Sequence, residues 1–358
     1  MTTLLYPHAP RPPFEQLGGP LRPQSISRSY GLSEDGSASA VISLNDVDDL
    51  AWILPGSCWR IDQSDLGEPV WAGFMPQEDL PMDADTFTLA LQGPKEALLS
   101  IEMAIDLPLR ASPPFAARQA IVSAQSRRPG MLSGSIDRGG TAVEIQARAE
   151  TVSKFIDSLR SFDPTYDWRE RIEFRDRYLS FYLDFGILQN PTTHVIVRDH
   201  IVAGRFTRTR PVGSLTVLGA SDRFRKRSRA TVAVAGMVPA LSEDPTRTIL
   251  RPRVDVLAAR NIGPAASRHI SEVQERVTSD VPGFAAARYE ELLREVDTLL
   301  LTLDGTKAGG QTPQLGDIVR VSVPDWVPGL QVDATVQIRH IAPRDEVGDR
   351  DMVAKVLQ

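Results

Sequence analysis

Cys58 is the only cysteine among 358 residues, so the chain has no internal disulfide and no thiolate metal cluster. It lies beside Trp59 in an apolar segment, a setting for a buried, inert thiol rather than a nucleophile. Nothing therefore asks for an oxidising compartment, and a reducing cytoplasm is the expected place of folding. No uninterrupted apolar stretch approaches the ~20 residues of a membrane span, so stable membrane insertion is not expected. The start, Met1 to Pro7, lacks both a basic n-region and an apolar h-region, and so has no export signal. A positive balance is missing too. The net charge of -6 argues against a protein whose main task is gripping nucleic-acid phosphates.

The signatures of catalysis are equally scarce. There is no G-x-S-x-G, no P-loop, no H-E-x-x-H and no C-x-x-C. Gly130 to Gly134 has a superficial likeness to a nucleophile elbow, but its serine spacing is wrong and no strand precedes it. Acid pairs such as Asp48-Asp49 and Glu290-Glu291 are adjacent in sequence and point different ways, so a glycosidase pair is not implied. Of the five histidines, His194 and His200 flank Asp199 at a six-residue interval, with no third ligand indicated; packed or solvated histidines are the favoured reading. No catalytic residue, metal ligand or cofactor site is expected.

What is present is β patterning with frequent turns. Pro 27 and Gly 25 suit many short strands in a chain long enough for two or three domains. At the C-terminus, Ile318 to Val323 alternates apolar and polar, Pro324 to Gly329 breaks the run, and Val332 to Arg339 alternates again. Met352, Ala354 and Val356 supply a last alternation, so this end reads as a small antiparallel barrel. From about Ser25 to Leu91, short strands are separated by turns such as Leu54-Pro55-Gly56, which indicates a second barrel or sandwich. Before it, prolines from Pro7 to Pro23 suggest an extended arm or a poorly ordered terminus.

Between these β blocks the pattern mixes. Pro94 to Met103 reads as a helix entered through proline, and Val152, Phe155, Ile156, Leu159 and Phe162 share one helical face that Asp163-Pro164 ends. A hairpin follows, with Ile172 and Phe174 on one arm, Asp176-Arg177 at the turn, and Leu179, Phe181, Leu183 and Phe185 on the other. Val195 to Val197 and Leu215 to Ala220 are strand candidates. Tyr289, Leu292, Leu293, Val296, Leu299, Leu300 and Leu303 recur at helical steps, which predicts a helix docked on the barrel that follows. The expected fold class is thus mainly β with α+β insertions: two small antiparallel β-barrels plus an α/β module. The expected divisions are residues 1–92, 93–190 and 191–358, with a helical insertion near 265–304.

In this order, three stretches together resemble the tail-tip or baseplate hub proteins of tailed phages and related particles. The first holds Leu54-Pro55-Gly56, Trp59-Arg60-Ile61 and Val70-Trp71-Ala72-Gly73-Phe74. The second runs from Phe155 and Leu159 through Tyr166-Asp167-Trp168-Arg169 to Phe185-Gly186. The third joins Val217-Leu218-Gly219-Ala220, through the expected helix ending at Leu303, to the Gly316-Asp317 phrase and the close at Val356-Leu357. Each is a short β phrase, and their succession over most of the chain carries the likeness. The proline-rich start and the lack of a fibre or lysozyme-like extension depart from the pattern. The resemblance implies a non-enzymatic homotrimer whose two barrels per subunit make a pseudo-sixfold ring. That ring would adapt a sixfold tail tube to a threefold tip and enclose a channel for DNA or effectors. It also implies a place at the virion tail tip, assembly in the host cytoplasm, and contacts with a tail tube or distal tail protein, a tape-measure protein and tip or fibre proteins. A receptor- or carbohydrate-binding protein using Trp52, Trp59, Trp71, Trp168 and Trp326 as platforms is one alternative. A cell-wall hydrolase is another. The dense basic run from Asp222 to Arg229 is read as an intersubunit contact in preference to a nucleic-acid contact.

Overall fold

The structure is a computed structural model. It describes residues 3–62, 70–76, 85–103, 108–136, 139–146, 151–160, 162–163, 165–208, 212–218, 224–226, 237–241, 247–257, 268–273, 285–286, 288–289, 292, 297–304, 313–327, 330–343 and 350–357. The fold is mainly β. Six strands form the N-terminal part: β1 (Leu4–His8), β2 (Ser25–Gly31), β3 (Glu34–Ser43), β4 (Cys58–Asp62), β5 (Trp71–Phe74) and β6 (Thr86–Gln92). They pair in the order β1-β4-β5-β6-β3-β2. Alternation along β3 sends Ala38, Ala40 and Ile42 inward to meet Trp59, Ile61, Phe87 and Leu89 in one cluster. The proline-rich start is ordered rather than loose. Leu5 is fully buried, and β1 pairs with β4 from Leu4↔Asp62 to His8↔Cys58.

The middle part holds α1 (Pro94–Leu99), β7 (Pro108–Ala111), α2 (Pro113–Arg127), β8 (Met131–Ile136), β9 (Val143–Gln146), α3 (Val152–Leu159), β10 (Asp167–Arg175) and β11 (Tyr178–Gly186). The expected hairpin is β10–β11, in register from Asp167↔Gly186 to Arg175↔Tyr178. Its two turn residues, Asp176 and Arg177, have φ of 50° and 73°, the left-handed pair that suits the twist of a two-residue hairpin. Leu179, Phe181, Leu183 and Phe185 bury their side chains against all three helices. The sequence reading missed α2. It buries Ala116, Ala117, Ala120, Ile121 and Ala124 at three- and four-residue steps, a stripe of small residues.

The remaining strands are β12 (Asn190–Val197), β13 (Ile201–Arg208), β14 (Val212–Leu218), β15 (Phe224–Lys226), β16 (Met237–Leu241), β17 (Arg247–Leu257), β18 (Arg268–Val273), β19 (Asp297–Leu303), β20 (Asp317–Val327), β21 (Leu330–Pro343) and β22 (Arg350–Leu357). Strands β14 to β18 form a separate five-stranded sheet. The others join the N-terminal strands through β2–β21 pairing at Tyr30↔Ile341 and Gly31↔His340, giving one 12-stranded sheet.

Two expectations fail here. The predicted helix from Tyr289 to Leu303, and with it the helical insertion near 265–304, is partly strand. Described residues from 285 to 292 are helical, but β18 lies parallel to β14, and β19 sits between β13 and β22. The run Leu299-Leu300-Leu301-Thr302-Leu303 satisfies a period of two as well as 3.6, and partners on both edges select the strand. Where a break is expected from Pro324 to Gly329, β20 continues through a register shift between Val323 and Val327, where a residue without an N–H costs the ladder least, and ends at Val327.

The strand assignment separates two neighbouring leucines. Leu299 is fully buried between β13 and β22, whereas Leu300 is 39% exposed opposite Arg205. Leu299→Asp should destabilise the protein by on the order of 3–5 kcal/mol, and Leu300→Asp by less than about 1 kcal/mol. Chemical denaturation measures both. Equal losses would contradict the strand register.

Candidate functional site

The turn between β2 and β3 is where the parts of the molecule meet. Ser33 holds a left-handed φ of 56°, which aims the backbone of Leu32 and Ser33 at two other elements. Leu32 N donates to Arg339 O on β21 at 2.8 Å, and Ser33 N donates to Trp168 O on β10 at 2.8 Å. The Ser33 hydroxyl donates to Asp167 Oδ1 at 2.9 Å. Arg339 grips the same carboxylate with both terminal nitrogens, Nη2 to Oδ1 at 2.9 Å and Nη1 to Oδ2. Arg160 adds a third cationic contact, Nη2 to Oδ1 at 3.4 Å. Asp167 is 4% exposed, so its charge is desolvated and compensated by a fork-shaped partner from a different part of the chain.

Five further carboxylates extend the junction. Glu170 accepts from Gly36 N at 3.2 Å and from Lys95 N, in the first turn of α1, at 2.6 Å. A Cβ at residue 93 would lie 2.4 Å from Glu170 Oε2, so only glycine lets this carboxylate approach. Burial, reinforced by the nearby Asp35 charge and opposed by the two amides, pushes the Glu170 carboxyl up to about 7. The Lys95 side chain is fully buried over the Trp168 ring, with Nζ 3.1 Å from both Asp35 and Asp157. Asp184, also buried, takes Arg169 Nε at 3.0 Å, Arg171 Nε at 3.5 Å and Ser135 N at 2.7 Å. On the C-terminal side Asp317 accepts from Gln314 N at 2.8 Å, while Gly316 turns with φ of 87°. This explains the Gly-Asp phrase that opens the last β run. A cavity of about 450 Å³ lies among these elements, walled by Tyr30, Trp71, Ile172 and Leu315 and edged by Arg169 and Arg171.

The junction offers chemistry little to work with. Burial raises both Glu170 and Asp157, but Glu170 has both oxygens on backbone amides and Asp157 is engaged by Lys95 Nζ, while Asp167 and Asp184 are held by guanidinium groups. These groups fix elements against one another.

The residues singled out from sequence lie elsewhere. Cys58 is fully buried, and burial pushes its thiol far up. Trp52, Trp59, Trp71 and Trp168 are core residues and Trp326 packs on a core, so none of the five is a free stacking platform. His200 accepts from Val197 N at 3.5 Å, and no group of three His, Cys, Asp or Glu able to hold a metal occurs among the described residues. Ser133 and Gly134 lie within strand β8, which has no elbow. The basic run from Asp222 to Arg229 lies outside the described residues except for the backbone of β15. Sequence reasoning missed the junction because its partners are distant. Asp167 and Arg339 are 172 positions apart.

Strands β12 and β13 each leave an edge open. Among the described residues β12 pairs only with β20 and β13 only with β19, and they expose Val195, Val197 and Val202.

No family model and no curated protein matches the sequence. Solved structures do match the fold. A 43 kDa tail protein of prophage MuSo2 from Shewanella oneidensis aligns over 100% of this chain and 98% of its own, at 15% identity and a TM-score of 0.61. A tail protein from Neisseria meningitidis aligns over 100% and 96%, at 12% identity and a TM-score of 0.58. The c3393 protein of E. coli aligns over 99% and 77%, at 12% identity and a TM-score of 0.54; it is a component of the type VI secretion system similar to T4 tail proteins gp27 and gp5. The chain thus has the fold of phage tail proteins from end to end.

The raised Glu170 carboxyl has a testable sign. Between its ordinary value of 4.5 and about 7 the folded state holds a proton that the unfolded state has released, so this group's contribution falls as pH rises. Buried His8, lowered by burial from 6.5 to about 4, works in the opposite sense over a similar range. Glu170→Gln removes the first effect and keeps the second. Its melting temperature relative to the natural protein should therefore climb from pH 5 to pH 8. A difference constant across that range would contradict the assignment.

Proposed function

We propose that this chain is a structural hub of a phage tail tip or baseplate, working as a homotrimeric ring. The observation that carries the reading is the match in fold to a phage tail protein over the full length of both chains. The three divisions expected from sequence, residues 1–92, 93–190 and 191–358, supply two barrel domains and an α/β module per subunit. Three copies then present six barrels to a sixfold tail tube and three modules to a threefold tip, enclosing a channel. The one-sided strands β12 and β13, with Val195, Val197 and Val202 exposed, support lateral pairing between neighbours.

The role is mechanical and not enzymatic. It puts the protein at the virion tail tip after assembly in the host cytoplasm. Its neighbours are a tail tube or distal tail protein, a tape-measure protein and tip or fibre proteins, and DNA passes transiently through the lumen. The net charge of -6 supports a lumen that lets phosphates slide without sticking. Neither alternative draws support from the site: the tryptophans are packed in cores, and the junction carboxylates are engaged by cations and amides.

Light scattering on the purified protein, or mass measurement of the assembled tip, should return three copies. One or six copies would overturn the trimer, and clearing of peptidoglycan by the protein would overturn the non-enzymatic role.

A further inference from the structure

A groove of about 840 Å³ lies at one end of the N-terminal strands, beside α1. Arg11, Arg127 and Arg128 border it, and among the described residues no carboxylate does. Its floor is Phe74, Met75 and Leu98, all buried, and five prolines from Pro10 to Pro129 form its walls. Proline has no N–H, so these walls do not extend a β-ladder, and an occupant is recognised by charge and apolar contact. Arg127 donates to Glu102 O. Arg11 and Arg128 are exposed, and no ion pair or hydrogen bond engages either side chain among the described residues. Among the described residues these three cations have no counter-ion, and in a chain of net charge -6 they call for an acidic occupant.

The same strands carry such a group at their other end. Strands β3 and β6 pair from Ser37↔Gln92, beside the groove, to Ser43↔Thr86. Those six steps span about 20 Å. Beyond Ser43 the chain enters a short turn in which Leu44 N bonds Asp85 O at 2.9 Å. Asp46, Asp48 and Asp85 are exposed there, and no ion pair or hydrogen bond engages the Asp48 or Asp85 side chain among the described residues. This part of the molecule is therefore bipolar along its strands, with opposite charge at opposite ends.

We propose that the groove receives the Asp46, Asp48 and Asp85 end of a neighbouring copy, head to tail. The inference rests on the ring reading above and adds the surface that sets its direction. A heterologous contact of this kind joins one patch to a different one, and it closes into a ring when the rotation permits. Nucleic acid is the competing occupant for an arginine-lined groove. It fits less well, because the only aromatic lining the groove among the described residues, Phe74, is buried and offers bases no platform.

Sedimentation of four proteins tests this: the natural chain, Arg11→Glu with Arg128→Glu, Asp48→Lys with Asp85→Lys, and a chain carrying all four changes. Each pair should weaken self-association by at least about tenfold, and the fourfold chain should regain it, since both ends are then reversed together. Circular dichroism checks that each is folded, and Arg11→Ala with Arg128→Ala replaces a pair that is not. Reversed pairs that associate like the natural trimer would overturn the groove contact and leave the ring standing. So would a folded fourfold chain that stays dissociated. A natural chain that is monomeric at all concentrations overturns both. Duplex DNA binding that Arg11→Glu with Arg128→Glu abolishes would assign the groove to nucleic acid instead.

Discussion

The fork between Arg339 and Asp167 is the contact on which the rest of the arrangement depends. It joins β21, in the C-terminal sheet, to the start of the β10–β11 hairpin, and Ser33 from the N-terminal strands closes the same knot. A carboxylate taken out of water costs several kcal/mol unless its lone pairs are filled, and here three cationic or hydroxyl groups from separate segments fill them. Because a guanidinium fork binds a carboxylate in one plane, the contact sets an angle as well as a distance. A surface ion pair would have neither property. Glu170 and Lys95 repeat the device on the other face of the hairpin, tying it to β3, α1 and α3.

This construction suits a part that carries load rather than one that binds and releases. Three hydrophobic clusters lie beneath the N-terminal strands, the hairpin and the C-terminal strands, and they meet where Cys58, Ala72 and Phe74 of the N-terminal strands join the hairpin's cluster and where Tyr30 borders the other two. Beside these apolar contacts, the links at the junction are polar, directional and largely desolvated. Such a joint resists sliding because every shift breaks a hydrogen bond that water cannot replace. In a ring made of such subunits, the relative placement of neighbouring β units would follow from the fixed joint within each chain.

Much of the fold was legible in the sequence, and the reasons for the exceptions are physical. The hairpin could be read because Leu179, Phe181, Leu183 and Phe185 alternate strictly and Asp176-Arg177 accepts left-handed backbone. The helix α2 escaped because its buried face is alanine, too weakly apolar to register as a stripe. The misassigned leucines from Leu299 to Leu303 fit two periods at once, and only the flanking strands β13 and β22 decide between them. None of the junction was visible. Asp167, Glu170, Lys95 and Arg339 look like ordinary surface charges until the chain brings them together, and the net charge gives no hint of a bipolar N-terminal part.

The Asp167–Arg339 pair locks the hairpin to the C-terminal strands. A double-mutant cycle with Asp167→Asn, Arg339→Gln and the double variant, followed by chemical denaturation, measures it most directly. A desolvated fork of this kind should give a coupling energy of about 1.5 kcal/mol or more, with each single variant losing more than that. A coupling near zero, with additive losses, would mean that the two β parts are held together by something other than this pair.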